Sequence, residues 1–98
     1  MGQIKFEWDA KKDRTNKKKH GVTFDEAETI FADENALLIH DPDHSDDEDR
    51  FILLGLSVKF RMLVVCHCYR SKGSIVRIIS ARKADKDEEE QYWERWKK

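Results

Sequence analysis

Three apolar runs follow one another after residue 49 with almost nothing between them: "RFILLGLSV", "RMLVVCHCY" and "SIVRIISA", joined only at Lys59-Phe60 and through "RSKG". Each has strand length and is rich in β-branched residues. Links this short cannot return the chain to a parallel neighbour, which takes a dozen residues or more. The runs must therefore pair antiparallel, and the rest of a 98-residue chain has to pack onto that meander.

The other segments supply what a meander needs to bury a face. Residues 3–8 alternate Ile4, Phe6 and Trp8 with Gln3, Lys5 and Glu7, the pattern of a half-buried strand. Asp9 stands ready to cap a helix over residues 10–19, with Gly21 at the position where a left-handed residue ends one. A second helix is predicted over "TFDEAETIF", where Thr23 and Glu26 have capping-box spacing and Phe24, Ala27, Ile30 and Phe31 recur at helical period. "NALLIHD" reads as a strand and "PDHSDDED" as an acidic loop. Asp85 and Glu88 repeat the capping-box spacing, and a closing helix places Tyr92, Trp93 and Trp96 on one side. The expected order is β-α-α-β-β-β-β-α over residues 1–98. That is a single small α+β domain, a mostly antiparallel sheet packed by helices mostly on one face.

Charged residues make up 40% of the chain and the mean hydropathy is −0.82, but the clustering of the apolar residues marks a globular domain and excludes a disordered chain. The formal net charge of −1 conceals strong patterning. Residues 1–24 carry seven Lys or Arg against three acids, residues 25–50 eleven acids against Arg50, and residues 51–83 seven bases and no acid. A phosphate backbone responds to such local fields and not to the total. Cys66 and Cys68 lie two apart on one strand, where a mutual disulfide would be strained, so both are expected as reduced thiols. With no secretory h-region and no apolar stretch of spanning length, a soluble cytoplasmic protein without a membrane contact is expected.

Several groups are candidates for chemistry. On the first helix Lys12, Asn16, Lys19 and His20 share one face, and no apolar stripe competes for it. At the C-terminus of that helix the dipole favours a cationic His20 while the Lys18-Lys19 pair disfavours it, which suits acid or base work. The plainer reading of His20 is a cap on the last carbonyls. Arg77 lies among Ile75, Val76, Ile78 and Ile79 and must find a carboxylate, a phosphate or water, the plainer partner being an acid of the 41–49 loop. Arg82 and Arg77 have opposite parity, so they share a site only if the strand twists or ends before Arg82. The loop containing His40, His44 and several aspartates lacks the glycine and closing glutamate of an EF-hand and reads as hydrated acid, so neither a metal nor another cofactor is expected. Trp8 is assigned to packing.

"FEWD", Lys12, Asn16, "KHGVTFDEA", "HS" followed by Glu48 and Arg50, Gly55, "MLVV", "RIISARKA", Glu88 and Tyr92 occur in this order and together resemble the BrnT family. Asp85 departs from the threonine frequent there but still caps a helix. The resemblance implies a RelE-like fold and a ribonuclease toxin of a bacterial type II toxin–antitoxin system. It also implies a BrnA-like antitoxin, with a hetero-oligomer built on the antitoxin dimer and operator DNA bound only through the antitoxin. Carried onto this sequence, the family's polar motif positions fall on Lys12, Asn16, Lys19, His20, Glu48, Arg50, Arg77, Ser80 and Arg82. Among them we expect His20, Arg50, Arg77, Ser80 and Arg82 as the catalytic set, Lys12, Asn16 and Lys19 as RNA-binding, and Glu48 as an orienting group. The chemistry expected is metal-independent cleavage by the substrate's own 2′-hydroxyl. Two other classes fit the residues alone: a nucleic-acid-binding protein without turnover, and a metal-dependent hydrolase built on residues 40–47.

Overall fold

The computed structural model describes residues 4–41 and 49–95. Along the chain these form β1 (Lys5–Glu7), α1 (Ala10–His20), α2 (Phe24–Thr29) continued by a 3-10 turn (Ile30–Ala32), β2 (Leu37–Asp41), β3 (Arg50–Leu56), β4 (Met62–Arg70), β5 (Ile75–Lys83) and α3 (Lys86–Glu94). The order matches the one expected from sequence. A five-stranded sheet runs β1-β5-β4-β3-β2, antiparallel throughout except for β1, which lies parallel to β5. No helix among the described residues is long and apolar enough to cross a membrane.

Alternation along the strands sorts the apolar side chains onto both faces of the sheet. On one face Leu53, Leu63, Val65, Val76, Ile78 and Ala81 meet Val22, Phe24, Ala27 and Ile30 from the α1–α2 turn and α2. On the other Leu54, Met62 and Val64 meet Tyr92 of α3. The α1–α2 turn and α2 thus pack against one face and α3 against the other. Tyr92 anchors α3 there: it is only 1% exposed and its hydroxyl donates to Asp33 Oδ2 at 2.7 Å, which pins α3 behind β3. Trp93, one position on and about 100° round the helix, is 45% exposed and stays out of this core. Trp96 lies outside the described residues.

The helix ends follow their capping residues, with one departure. Asp9 Oδ1 accepts from the Lys11 and Lys12 amides at 2.8 and 3.3 Å, and α1 ends at Gly21, whose φ of 72° no β-carbon opposes. Asp85 and Glu88 form a complete capping box on α3. Thr23 caps α2 through the Glu26 amide at 3.1 Å, but the Glu26 carboxylate does not return to close the box. It turns inward, only 4% exposed, where Ser57 Oγ donates to Oε2 at 2.7 Å and Arg61 engages both oxygens. Arg61 also reaches the Gly21 carbonyl at 3.1 Å, tying the β3–β4 turn to the end of α1. This desolvated pair has no signature in sequence, because a glutamate three residues after a threonine looks like a cap.

Gly55 marks a close approach. A β-carbon there would lie 3.2 Å from the β-carbons of both Ala36 and Ile30, so a larger residue would push the 3-10 turn away from β3 by a few tenths of an ångström.

Candidate active site

The site grows out of an irregularity in β5. Its register against β4 shifts between Cys66 opposite Ser80 and His67 opposite Ile78, which leaves Ile79 as an extra residue, a β-bulge. Before the bulge the even-numbered Val76 and Ile78 are buried in the α1–α2 core; after it the odd-numbered Ala81 takes that place. Arg77, facing away from Ile78, and Arg82, facing away from Ala81, therefore end on the same face despite their opposite parity. Glu7, Arg50, Ile52, Val64 and Cys66 share that face by alternation on β1, β3 and β4.

Beyond its short pairing with β1, β5 has an open edge, and α1 covers it. Asn16 makes the junction. Its amide nitrogen donates to the carbonyls of Ala81 at 2.8 Å and Val22 at 2.9 Å, and its oxygen accepts from the Ala81 amide at 3.1 Å. One side chain thus does what a neighbouring strand would do for Ala81. Asn16 is 7% exposed and both its N–H groups are committed within the protein, so it is the staple that positions α1, and it also lines a hollow beside Lys12 and Lys19.

Seated this way, α1 presents Lys11, Lys12, Thr15, Asn16, Lys19 and His20 to a hollow closed by Ile79 and Ser80. A second hollow is lined by His20, Ile52, Val64, Cys66, Ser80 and Arg82. Since His20 and Ser80 line both, the two hollows adjoin across these side chains and together form a groove from the lysines of α1 past the bulge to Arg82. His20, the last residue of α1, is half-buried at the midpoint. Neither cysteine is disulfide-bonded; Cys66 is on the wall of the groove and Cys68 is buried.

Arg82 is held on its far side by Glu88, with Nη1 to Oε1 at 2.9 Å and Nη2 to Oε2 at 2.8 Å. The hydrogen bonds of this pair, with the charge attraction, keep the Glu88 carboxyl below its usual range and raise the guanidinium further. Arg77 lines neither hollow. It pairs with Glu7 at 2.9 Å, and Arg70 approaches the same carboxylate oxygen at 3.5 Å. Among the described residues, the acid that meets Arg77 is thus Glu7 on β1. Arg50 opens β3 on the face of the groove but lines neither hollow. Glu48 and His44 lie outside the described residues; His40, on β2, has Nε2 3.6 Å from Asp49. No cluster of three or more His, Cys, Asp or Glu able to hold a metal occurs among the described residues.

The geometry therefore gathers His20, Ser80, Arg82, Lys12 and Lys19 and sets Arg77 and Arg50 to the flank. Glu88 is the member that residue typing missed, because its capping-box spacing accounted for it.

A family model described as the ribonuclease toxin, BrnT, of type II toxin-antitoxin systems matches residues 8–88. The chain belongs to that family. Its matched span reaches from Trp8 before α1 to Glu88 in α3, so it takes in the whole groove. A type II toxin is paired with an antitoxin, and a BrnT-family chain shares that arrangement. The fold is also that of a BrnT structure: a crystal structure of the Brucella abortus ribonuclease toxin, BrnT, superposes with a TM-score of 0.65 at 22% identity, over 86% of this chain and 100% of that one. No curated protein sequence matches the chain.

Proposed function

We propose that this chain is a metal-independent endoribonuclease that cuts RNA by attack of the 2′-hydroxyl on the adjacent phosphorus and so inhibits translation. The observation that carries the reading is the pair of adjoining hollows whose shared wall sets a half-buried histidine between a row of lysines and an arginine. Such cleavage needs a proton acceptor for the 2′-hydroxyl, a proton donor for the leaving 5′-oxygen and cations for the phosphorane. His20 serves as the acid or base. Arg82 stabilises the charge that develops on the phosphorane, and the Ser80 hydroxyl donates to a phosphate oxygen. Lys12 and Lys19 hold the strand along α1, Arg50 and Arg77 meet the backbone as it leaves the groove, and Glu48 orients Arg50 or His20.

The antitoxin is a BrnA-like protein that forms a hetero-oligomer through its own dimer and carries the operator contacts, in the cytoplasm. Exposed Leu38 and Ile39 on the edge strand β2 and Trp93 on α3 offer it apolar contact.

A defined RNA is incubated with antitoxin-free protein in excess EDTA, beside folded His20→Ala and Arg82→Ala. The expected products carry 2′,3′-cyclic phosphate ends, and each substitution lowers the rate about 100-fold or more. Salt-dependent binding that leaves every RNA intact would instead mark a protein that binds nucleic acid without turnover.

A further inference from the structure

Arg82 has five N–H donors, and their disposition separates two jobs on one side chain. Nη1 donates to Glu88 Oε1 at 2.9 Å and to the Lys83 carbonyl at 3.3 Å, and Nη2 gives one hydrogen to Glu88 Oε2 at 2.8 Å. The Nε hydrogen and the second hydrogen of Nη2 make no bond to another described residue. These two lie along one edge of the planar guanidinium, the parallel fork that matches two oxygens of a phosphate. Glu88 is in turn immobilised at the start of α3. Its Oε1 also accepts from the Asp85 amide at 2.8 Å, and its own amide donates to Asp85 Oδ1 at 2.8 Å. Its side chain is 24% exposed, against 44% for Arg82.

We infer that Glu88 is a positioning residue that grips the distal end of Arg82 and thereby aims the Nε–Nη2 edge at a phosphate of bound RNA. The inference rests on the ribonuclease reading and deepens it, since it fixes which edge of Arg82 meets the phosphate and what holds it there. A carboxylate is suited to this because it accepts both Nη groups at once and preorganises a long, rotatable side chain before the substrate arrives. The capping box makes the same carboxylate part of a helix end, so the aim of Arg82 and the seating of α3 are a single arrangement. Tyr92, anchored on Asp33, extends that arrangement to the far side of the sheet.

The test is a double-mutant cycle with Glu88→Gln and Arg82→Lys, read by single-turnover cleavage and by anisotropy of an uncleavable, 2′-deoxy-substituted oligonucleotide. Glutamine preserves the capping box and the volume, so the variant folds where Glu88→Ala would risk losing the helix end. Lysine keeps the charge but has no fork. We expect Glu88→Gln to melt close to the wild type and to bind the oligonucleotide within about 2-fold, yet to cleave about 10-fold more slowly. In the Arg82→Lys background the same substitution should cost less than about 2-fold, because there is no longer a fork to aim. A purely structural role predicts equal losses in both backgrounds. Equal losses, or a Glu88→Gln protein as fast as the wild type, would overturn the inference and leave the ribonuclease reading standing. A wild type that leaves all RNA intact would overturn both.

Discussion

At the scale of single residues, the polar side chains that matter most to the fold are those whose hydrogen bonds replace backbone pairing. Asn16→Asp keeps the shape of Asn16 but turns a two-hydrogen donor into an anion facing the carbonyls of Ala81 and Val22. Unfolding in urea should show a loss of roughly 2–4 kcal/mol, above the roughly 1–3 kcal/mol for a neutral buried group left unpaired because the new group is an anion. Arg61→Ala should cost roughly 2–4 kcal/mol in the same assay, since it strands the buried Glu26 carboxylate; partial exposure of Arg61 places this a little below the figure for fully buried pairs. His67 gives a pH dependence. It is fully buried, its ring contacting Phe31, Phe51 and Tyr69, with Nδ1 at the Val65 carbonyl and Nε2 at the Tyr69 hydroxyl. Burial pushes its pKa below the ordinary 6.5, so between the two values the unfolded chain binds the proton more readily than the folded one. Stability is therefore full above 6.5 and falls as the pH drops below it, by up to about 1.4 kcal/mol per unit. Melting temperatures of His67→Asn should be flatter than those of the wild type as the pH falls below 6.5. The carboxyls of Glu26, Asp33 and Glu88 steepen the loss at lower pH. Arg61 chiefly holds Glu26 down and Arg82 chiefly Glu88; at Asp33 burial is the largest influence and pushes upward, but bonds from Leu56, Asn35 and Tyr92 together outweigh it.

At the scale of elements, strands and helices were legible because each carries a period and a stop signal. The meander followed from three apolar runs with short links, and Asp9, Thr23, Asp85 and Gly21 marked the helix ends where they occur. What could not be read was any feature created by two elements meeting. The Glu26–Arg61 pair joins residues 35 positions apart, and Asn16 meets Ala81 across 65. The bulge at Ile79 is written in the register between β4 and β5, so parity counting along β5 alone misplaced Arg77 relative to Arg82. His20, Ser80, Lys12 and Lys19 were legible as polar residues without a core to join, and their gathering around one groove rests on α1 lying across the β5 edge. Separating α1 from that edge should therefore harm binding and chemistry together. Hydrogen exchange on Asn16→Asp should show the Ala81 amide losing protection along with α1, ahead of β3 and β4.

Taken as a whole, the molecule keeps a near-neutral total while placing its cations along α1 and on the face bearing β5. RNA binding should accordingly weaken with salt, with a slope in log Kobs against log salt that falls by about 0.7 for each phosphate contact removed. Lys12→Ala and Lys19→Ala, titrated by anisotropy from low to moderate salt, should each lower the slope by that amount, while Lys86→Ala on α3 should leave it unchanged. The sheet divides the labour: one side is filled by α2 and the turn before it, and the other carries the groove with α3 beside it. That division depends on the bulge at Ile79. The bulge acts as a splice in β5: deleting Ile79 would restore plain alternation and leave Ala81 and Arg82 on the faces they now hold. Straightening the strand at constant length is what would transpose them, driving Arg82 among Val22 and Phe24 and putting Ala81 in the open. The molecule's working side therefore survives the loss of this residue better than it would survive a regular strand that kept it.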